Sequence, residues 1–191
     1  MKVAISYPPF SSKKGKAFLS QNRQFQWTHT ENVIYPMVPA YAATMLHEEG
    51  HKVLWDDANA QNLSFKKWMN RLKKFNPDLI FFETKTPVVK RHWKLIGLLK
   101  EKLDDVKIVL AGDHVTALPE ESFENSSVDY VLTGGDYDFL LVNLVKNLIG
   151  KEELEPGIYF KDGNTGHFKL DHDLDELPMI NRKLTRWKDY S

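Results

Sequence analysis

Short apolar runs alternate with amphipathic segments along most of the chain, and the alternation itself predicts the elements. "KVAIS" (2–6) is predicted as a buried strand, followed by a long polar loop to Tyr35. "PAYAATMLHEEGH" (39–51) has the period of a helix, with Gly50 placed to stop it. "KVLWDD" (52–57) reads as a second strand. "SFKKWMNRLKKF" (64–75) reads as a helix capped by Ser64, with Phe65, Trp68, Met69, Leu72 and Phe75 at helical spacing as a core-facing stripe. Asn76–Pro77 breaks the chain before a third strand, "DLIFFE" (78–83). A helix (87–103), a strand "VKIVLAG" (106–112), a strand "VDYVLTGG" (128–135) and a helix (139–150) ended by Gly150 complete the pattern.

Five strands separated mostly by helices predict an α/β protein with a parallel sheet covered on both faces. Right-handed crossovers leave few topologies, and the Rossmann-like, flavodoxin-like order 2-1-3-4-5 is the expected one. Residues 1–150 form this unit. In 151–191 the character changes: "GIYFKDGNTGHFKL" (157–170) has two apolar segments around a Gly/Asn turn, as in a hairpin. From Asp171 the chain is polar and weakly periodic, with Leu177, Met179, Ile180, Leu184 and Trp187 spaced along it. That segment reads as a linker towards a further domain, and its few apolar residues predict that it is the most loosely packed part.

Composition narrows the function classes. The 191 residues carry 26 basic and 26 acidic side chains, so no net field favours nucleic acid or a membrane surface. Lys13–Lys14–Lys16 and Arg71–Lys73–Lys74 read as solvated faces. Met1–Lys2 leads directly into a strand without a signal-peptide pattern, and no apolar run approaches the ~18 residues of a spanning helix. A cytoplasmic location is therefore expected. The chain has no cysteine, which removes disulfides, thiol nucleophiles and Cys-held zinc or iron–sulfur groups from these 191 residues.

In such sheets, ligands bind beyond the carboxyl ends of the strands. The turns there contain Pro8 and Pro9; Thr84, Lys85 and Thr86; Gly112, Asp113, His114 and, two residues on, Thr116; and Gly134, Gly135 and Asp136. Glycines let a ligand approach the backbone, and threonine hydroxyls both donate and accept, so the set suits a large, mostly neutral ligand. The G-x-G-x-x-G and G-x-x-x-x-G-K-[ST] phosphate loops are missing. A phospho-receiver reading lacks its acids, because those places hold Tyr7–Pro8 and Glu83–Thr84. Asp56–Asp57 suits either a ribose contact or a helix cap. Asp113 and His114 are adjacent in a turn with no third ligand and no nucleophile nearby in sequence, which argues against a metal site or a catalytic dyad. His47, His51 and His92 read as polar surface groups of helices.

Taken in order, "VAISYPPF", "YPMVPAYAATMLHEEGHKVLWDDAN", "NPDLIFFETKTP", "VKIVLAGDHVTALPEE" and "VDYVLTGGD" resemble the cobalamin (vitamin B12)-binding domain that precedes the radical S-adenosylmethionine domain in B12-dependent radical enzymes. The similarity covers about residues 2–149, and "LDELPMINRKL" resembles the linker to the radical barrel. The resemblance implies a corrinoid cradle at Gly112, Asp113, His114 and Thr116, with the Thr84–Lys85–Thr86 and Gly134–Gly135 turns along the nucleotide tail and side-chain amides. It also implies a radical partner domain, in cis or in trans, that holds S-adenosylmethionine and a [4Fe–4S] cluster.

Two departures qualify the implication. The first turn lacks the Asp-x-His-x-x-Gly that supplies a lower histidine ligand in mutases and methionine synthase, so cobalamin is expected to bind without one. The family's Gly-Glu-Gly-Glu turn reads Gly134–Gly135–Asp136–Tyr137 here. A methyl-transfer or ring-forming radical enzyme is the leading expectation. A free-standing corrinoid carrier and a Rossmann-like nucleotide or sugar binder are the alternatives.

Overall fold

A computed structural model describes residues 1–18, 26–29 and 33–190. Its elements in chain order are β1 (Lys2–Tyr7), β2 (Ser11–Ser12), β3 (Gly15–Phe18), β4 (Gln26–Thr28), α1 (Met37–Glu48), β5 (Lys52–Asp57), α2 (Phe65–Phe75), β6 (Leu79–Glu83), α3 (Val89–Lys102), β7 (Lys107–Ala111), α4 (Asp113–Ala117), α5 (Pro119–Asn125), β8 (Tyr130–Leu132), α6 (Tyr137–Leu148), β9 (Ile158–Phe160) and β10 (Gly163–Asn164).

The main sheet has the order β10-β9-β8-β7-β6-β1-β5. Its five parallel strands, β5-β1-β6-β7-β8, follow the predicted 2-1-3-4-5 order. Strand side chains alternate between two cores, as a sheet buried on both faces requires. Val3, Ile5, Phe81 and Val109 join one cluster with Leu46 of α1 and Leu141 and Leu144 of α6. Ala4, Ile80, Phe82 and Leu110 join the other with Trp68 and Leu72 of α2 and Ile96 and Leu99 of α3. The α2 stripe is core at its centre, where the Trp68 indole N–H donates to Ser6 Oγ at 2.8 Å, while Phe65 remains exposed. Ser64 caps that helix by accepting from Lys67 N–H, and Asn76 ends it in a left-handed conformation ahead of Pro77.

The structure departs from the predicted strands in three places. The stretch expected as a polar loop before Tyr35 contains a small antiparallel sheet, β2-β3-β4. Strands of two to four residues are too short to show alternation, which is why they escape a periodicity reading. The expected strand over 128–135 keeps only Tyr130–Leu132. The hairpin forms around residues 161–162, and its first strand pairs antiparallel with β8, so the sheet gains two strands.

The C-terminal segment also differs from the loose packing expected of it. Ile180 and Leu184 pack on the first core cluster, and Thr185 and Tyr190 are buried. Asn181 N–H donates to Thr44 Oγ1 of α1 at 3.0 Å. The Tyr190 hydroxyl donates to Asp57 Oδ2 at 3.1 Å and accepts from the Trp55 indole at 3.0 Å. Met179, at 92% exposure, and Trp187 stay outside this contact.

Candidate functional site

Four strand-end turns meet along one edge of the sheet, where β1, β6, β7 and β8 finish. After β1, Asn59 clamps the proline turn: its amide donates to Pro8 carbonyl oxygen and its Oδ1 accepts from Phe10 N–H, both at 2.9 Å. Asn59 itself is placed by Asp57, whose Oδ1 accepts from the N–H groups of Asn59 and Ala60. Asp57 is therefore a turn cap. Asp56 pairs with Arg71 at 2.7 Å. Phe10 then lies on His92, ring centres 4.7 Å apart.

The β6 and β7 turns are pressed together. Thr84 N–H donates to Ala111 carbonyl oxygen at 2.8 Å, and Gly112 has φ of +113°. A side-chain carbon on Gly112 would stand 2.4 Å from Thr84 carbonyl oxygen, so no larger residue fits this contact. The Lys85 ammonium reaches across to Asp113 Oδ2 at 2.6 Å. His114 points elsewhere, with Nδ1 3.1 Å from Thr86 Oγ1 and Nε2 2.9 Å from Glu121 Oε2. Asp113 and His114 therefore diverge, which is incompatible with a dyad. His92 is fully buried rather than a surface group. Its Nδ1 is 2.7 Å from Thr84 Oγ1, its Nε2 meets no partner, and burial pushes its pKa down to about 3.

At the fourth turn, Gly134 N–H donates to Thr116 Oγ1 at 3.1 Å. The open face expected at Gly134 is taken by Phe168: a carbon added to the glycine would lie 2.6 Å from the ring. Gly135 is exposed, and Asp136 Oδ2 sits 3.2 Å from His172 Nδ1.

The centre of the edge holds a group that the turn pattern does not reveal. Glu83 ends β6 almost fully buried and accepts from the hydroxyls of Tyr7 and Tyr137, each at 2.7 Å. Burial raises its pKa, and the two phenols and nearby Lys85 act against that rise. The network ties the ends of β1 and β6 to the first turn of α6. An acid closing the apolar run "DLIFFE" is the one signal for it in the sequence; Asn59, Phe10 and Phe168 have none.

The B12 binding domain family matches residues 27–139, more than half of the chain. This chain belongs to that family. An uncharacterized methyltransferase of Pyrococcus horikoshii, PH0819, is 27% identical over 161 residues, covering 81% of this chain and 35% of the relative. Solved structures share the fold, two radical S-adenosylmethionine enzymes among them. The radical S-adenosylmethionine methyltransferase TsrM of Kitasatospora setae, with cobalamin and a [4Fe–4S] cluster bound, has a TM-score of 0.63 at 17% identity, over 93% of this chain and 30% of its own. The cobalamin-dependent S-adenosylmethionine radical enzyme OxsB, with aqua-cobalamin bound, has a TM-score of 0.71 at 14% identity, over 99% of this chain and 25% of its own. This chain thus spans about a quarter to a third of the length of these proteins.

The residues at the edge suit the cofactor of such a domain. Lys85 and Asp113 neutralise each other, leaving a rim of Thr86, Pro87, Leu118 and Gly135 that is exposed and uncharged. A corrinoid carries many neutral amides, which need hydroxyl and backbone partners more than charges. His92 Nε2, buried between Phe10 and Phe82 without a partner, is not offered to a ligand on this rim. Among the described residues, no helix is long and apolar enough to cross a membrane.

Proposed function

We propose that this B12-binding domain holds cobalamin on its C-terminal strand edge without a lower histidine ligand, and that it serves a radical S-adenosylmethionine enzyme catalysing methyl transfer or ring formation. The cradle consists of the turns bearing Pro8 and Pro9, Thr84 to Thr86, Gly112 to His114 with Thr116, and Gly134 to Asp136. When bound, cobalamin supplies a cobalt centre able to carry a methyl group. The chain's own part is to present neutral donors and acceptors to the corrin amides and to keep protein nitrogens off the metal.

The observation that carries this reading is the state of the histidines at the edge. Both ring nitrogens of His114 are engaged, by Thr86 and Glu121. His92 lies beneath Phe10, which occupies the first turn where a ligating histidine would be needed. Because the chain contains no cysteine, the iron–sulfur chemistry belongs to a partner domain, in cis or in trans.

The test is retention of hydroxocobalamin through gel filtration, followed by electron paramagnetic resonance of the Co(II) form. Co-eluting visible absorbance, and a spectrum unchanged by 15N labelling of the protein, are expected. Folded protein eluting without colour, or a cobalt signal that responds to the label, overturns the reading.

A further inference from the structure

Past the hairpin, residues 165–172 have no regular structure and run across the sheet edge in front of Gly134 and Gly135. The entry to this strap is fixed by Gly157 N–H donating to Gly166 carbonyl oxygen at 3.1 Å. Phe168 then fills a notch made by two glycines. Carbons added to Gly134 and Gly157 would lie 2.6 and 2.8 Å from it, and both glycines have positive φ, +87° and +104°. Leu170 follows over Gly135 with 65% of its surface exposed. His172 closes the strap: its ring stacks on Phe139 at 4.3 Å and 5°, and its nitrogens lie 3.2 Å from Asp136 and 2.9 Å from Glu155.

We propose that Phe168 and His172 belong to the cobalamin site as a gate and its latch: Phe168 covers Gly134 when the strap is shut, and His172 holds it shut through Asp136 and Glu155. This rests on the reading that the Gly134–Gly135–Asp136 turn takes the cofactor. Latch and cradle share Asp136, so a ligand group that engages this carboxylate competes directly with His172. Thr165 and Gly166 stay bonded to Ile158 and Gly157 at the sheet edge, and residues 167–172, exposed on either side of Phe168, are the part that can swing away without unfolding the sheet.

The charges around the latch set its pH response. Asp136 and Asp138 face His172 from the start of α6 and Glu155 from the loop after it, while Glu48 and Glu49 from the end of α1, Lys146, Glu152 and Glu176 line the adjoining groove. Burial works against the imidazolium, but the bonds and charges of Glu155 and Asp136 outweigh it and raise the pKa. The latch therefore holds in the protonated state and weakens as pH rises through that raised value.

Two readouts test the gate. The first, without cofactor, is fluorine NMR of p-fluorophenylalanine protein, with the Phe168 signal assigned through Phe168→Leu. This signal should move to a solvent-exposed position in His172→Ala, and in the parent protein as pH rises through the titration of His172. The second is stopped-flow uptake of hydroxocobalamin. Its rate should be at least about tenfold higher in His172→Ala than in the parent at low pH, and it should lose its pH dependence, as expected for losing the charge-assisted bonds to Asp136 and Glu155. Phe168→Ala should be fast at every pH and serves if the histidine variant misfolds. A fluorine signal unmoved by pH and by His172→Ala overturns the gate. Equal, pH-independent uptake rates in parent and variants also overturn it, while the cradle reading stands. Failure of the folded parent protein to retain cobalamin overturns the cradle reading and the gate with it.

Discussion

Gly112 and Thr84 meet so closely that a methyl group on the glycine would stand 2.4 Å from the Thr84 carbonyl oxygen. The obstacle is backbone, which cannot turn aside as a side chain can, and φ of +113° disfavours any other residue independently. Gly112→Ala is expected to cost at least about 2 kcal/mol, combining strain with displacement of the turn. Urea denaturation measures the loss. Hydroxocobalamin retention should fall with it, because the variant separates the β6 and β7 turns.

The pairing of Glu83 with two tyrosines is expected to behave as one unit. Tyr7→Phe or Tyr137→Phe removes one hydrogen bond from a buried acid, a loss of about 1.5–3 kcal/mol if Glu83 is ionised. The double variant should depart from the sum of the singles, since both act on the same carboxyl group. Strict additivity in denaturant midpoints would show that the phenols do not share Glu83.

Asp57 makes a prediction about pH. Burial raises its pKa from 3.8 to about 6, while the bonds from Ala60, Asn59 and Tyr190 act in the opposite direction. The unfolded chain releases this proton first, so between these two values the folded form binds more protons. Stability should therefore fall as pH rises from about 4 to about 6, by up to about 3 kcal/mol from this residue. Asp57→Asn keeps an acceptor for the Asn59 and Ala60 N–H groups and should flatten that part of the pH profile. The measurement is denaturant midpoints for both proteins across the window.

Tyr190→Phe tests whether the C-terminal segment is docked. The hydroxyl donates to Asp57 and accepts from Trp55, so its removal should cost about 1–3 kcal/mol. Trypsin should cut first in the exposed strap at Lys169, yet the released piece should co-elute with the core. Its anchors, Ile180, Leu184, Thr185 and Tyr190, lie beyond the cut. A piece that separates on native gel filtration counts against docking.

What the sequence made legible follows from the range of each interaction. Strand and helix periodicity is local, so the five parallel strands and their order could be read from "VAIS", "VLWDD", "LIFF", "KIVLA" and "YVL". The strand-end turns were equally visible, because glycine, proline and threonine mark them. What neighbours do to one another across the edge was not. His92 has the sequence position of a surface histidine, but β6 and Phe10 enclose it, and Gly134 looks open until Phe168 arrives from 34 positions further along the chain. The tail's few apolar residues suggested a loose linker, yet four polar contacts from Asn181, Thr185 and Tyr190 fasten it to α1, β5 and Tyr35.

The hairpin of β9 and β10 also bears on how the protein avoids sticking to itself. Without it, β8 would end the sheet with a row of unpaired backbone donors and acceptors, open to a strand of any neighbouring molecule. β9 satisfies that row in antiparallel register, and the edge passed outward to β10 is two residues long, Gly163 and Asn164. So short and polar an edge offers little grip for intermolecular pairing. Disrupting the hairpin should therefore show first as aggregation at high protein concentration, even where the cofactor edge keeps its shape.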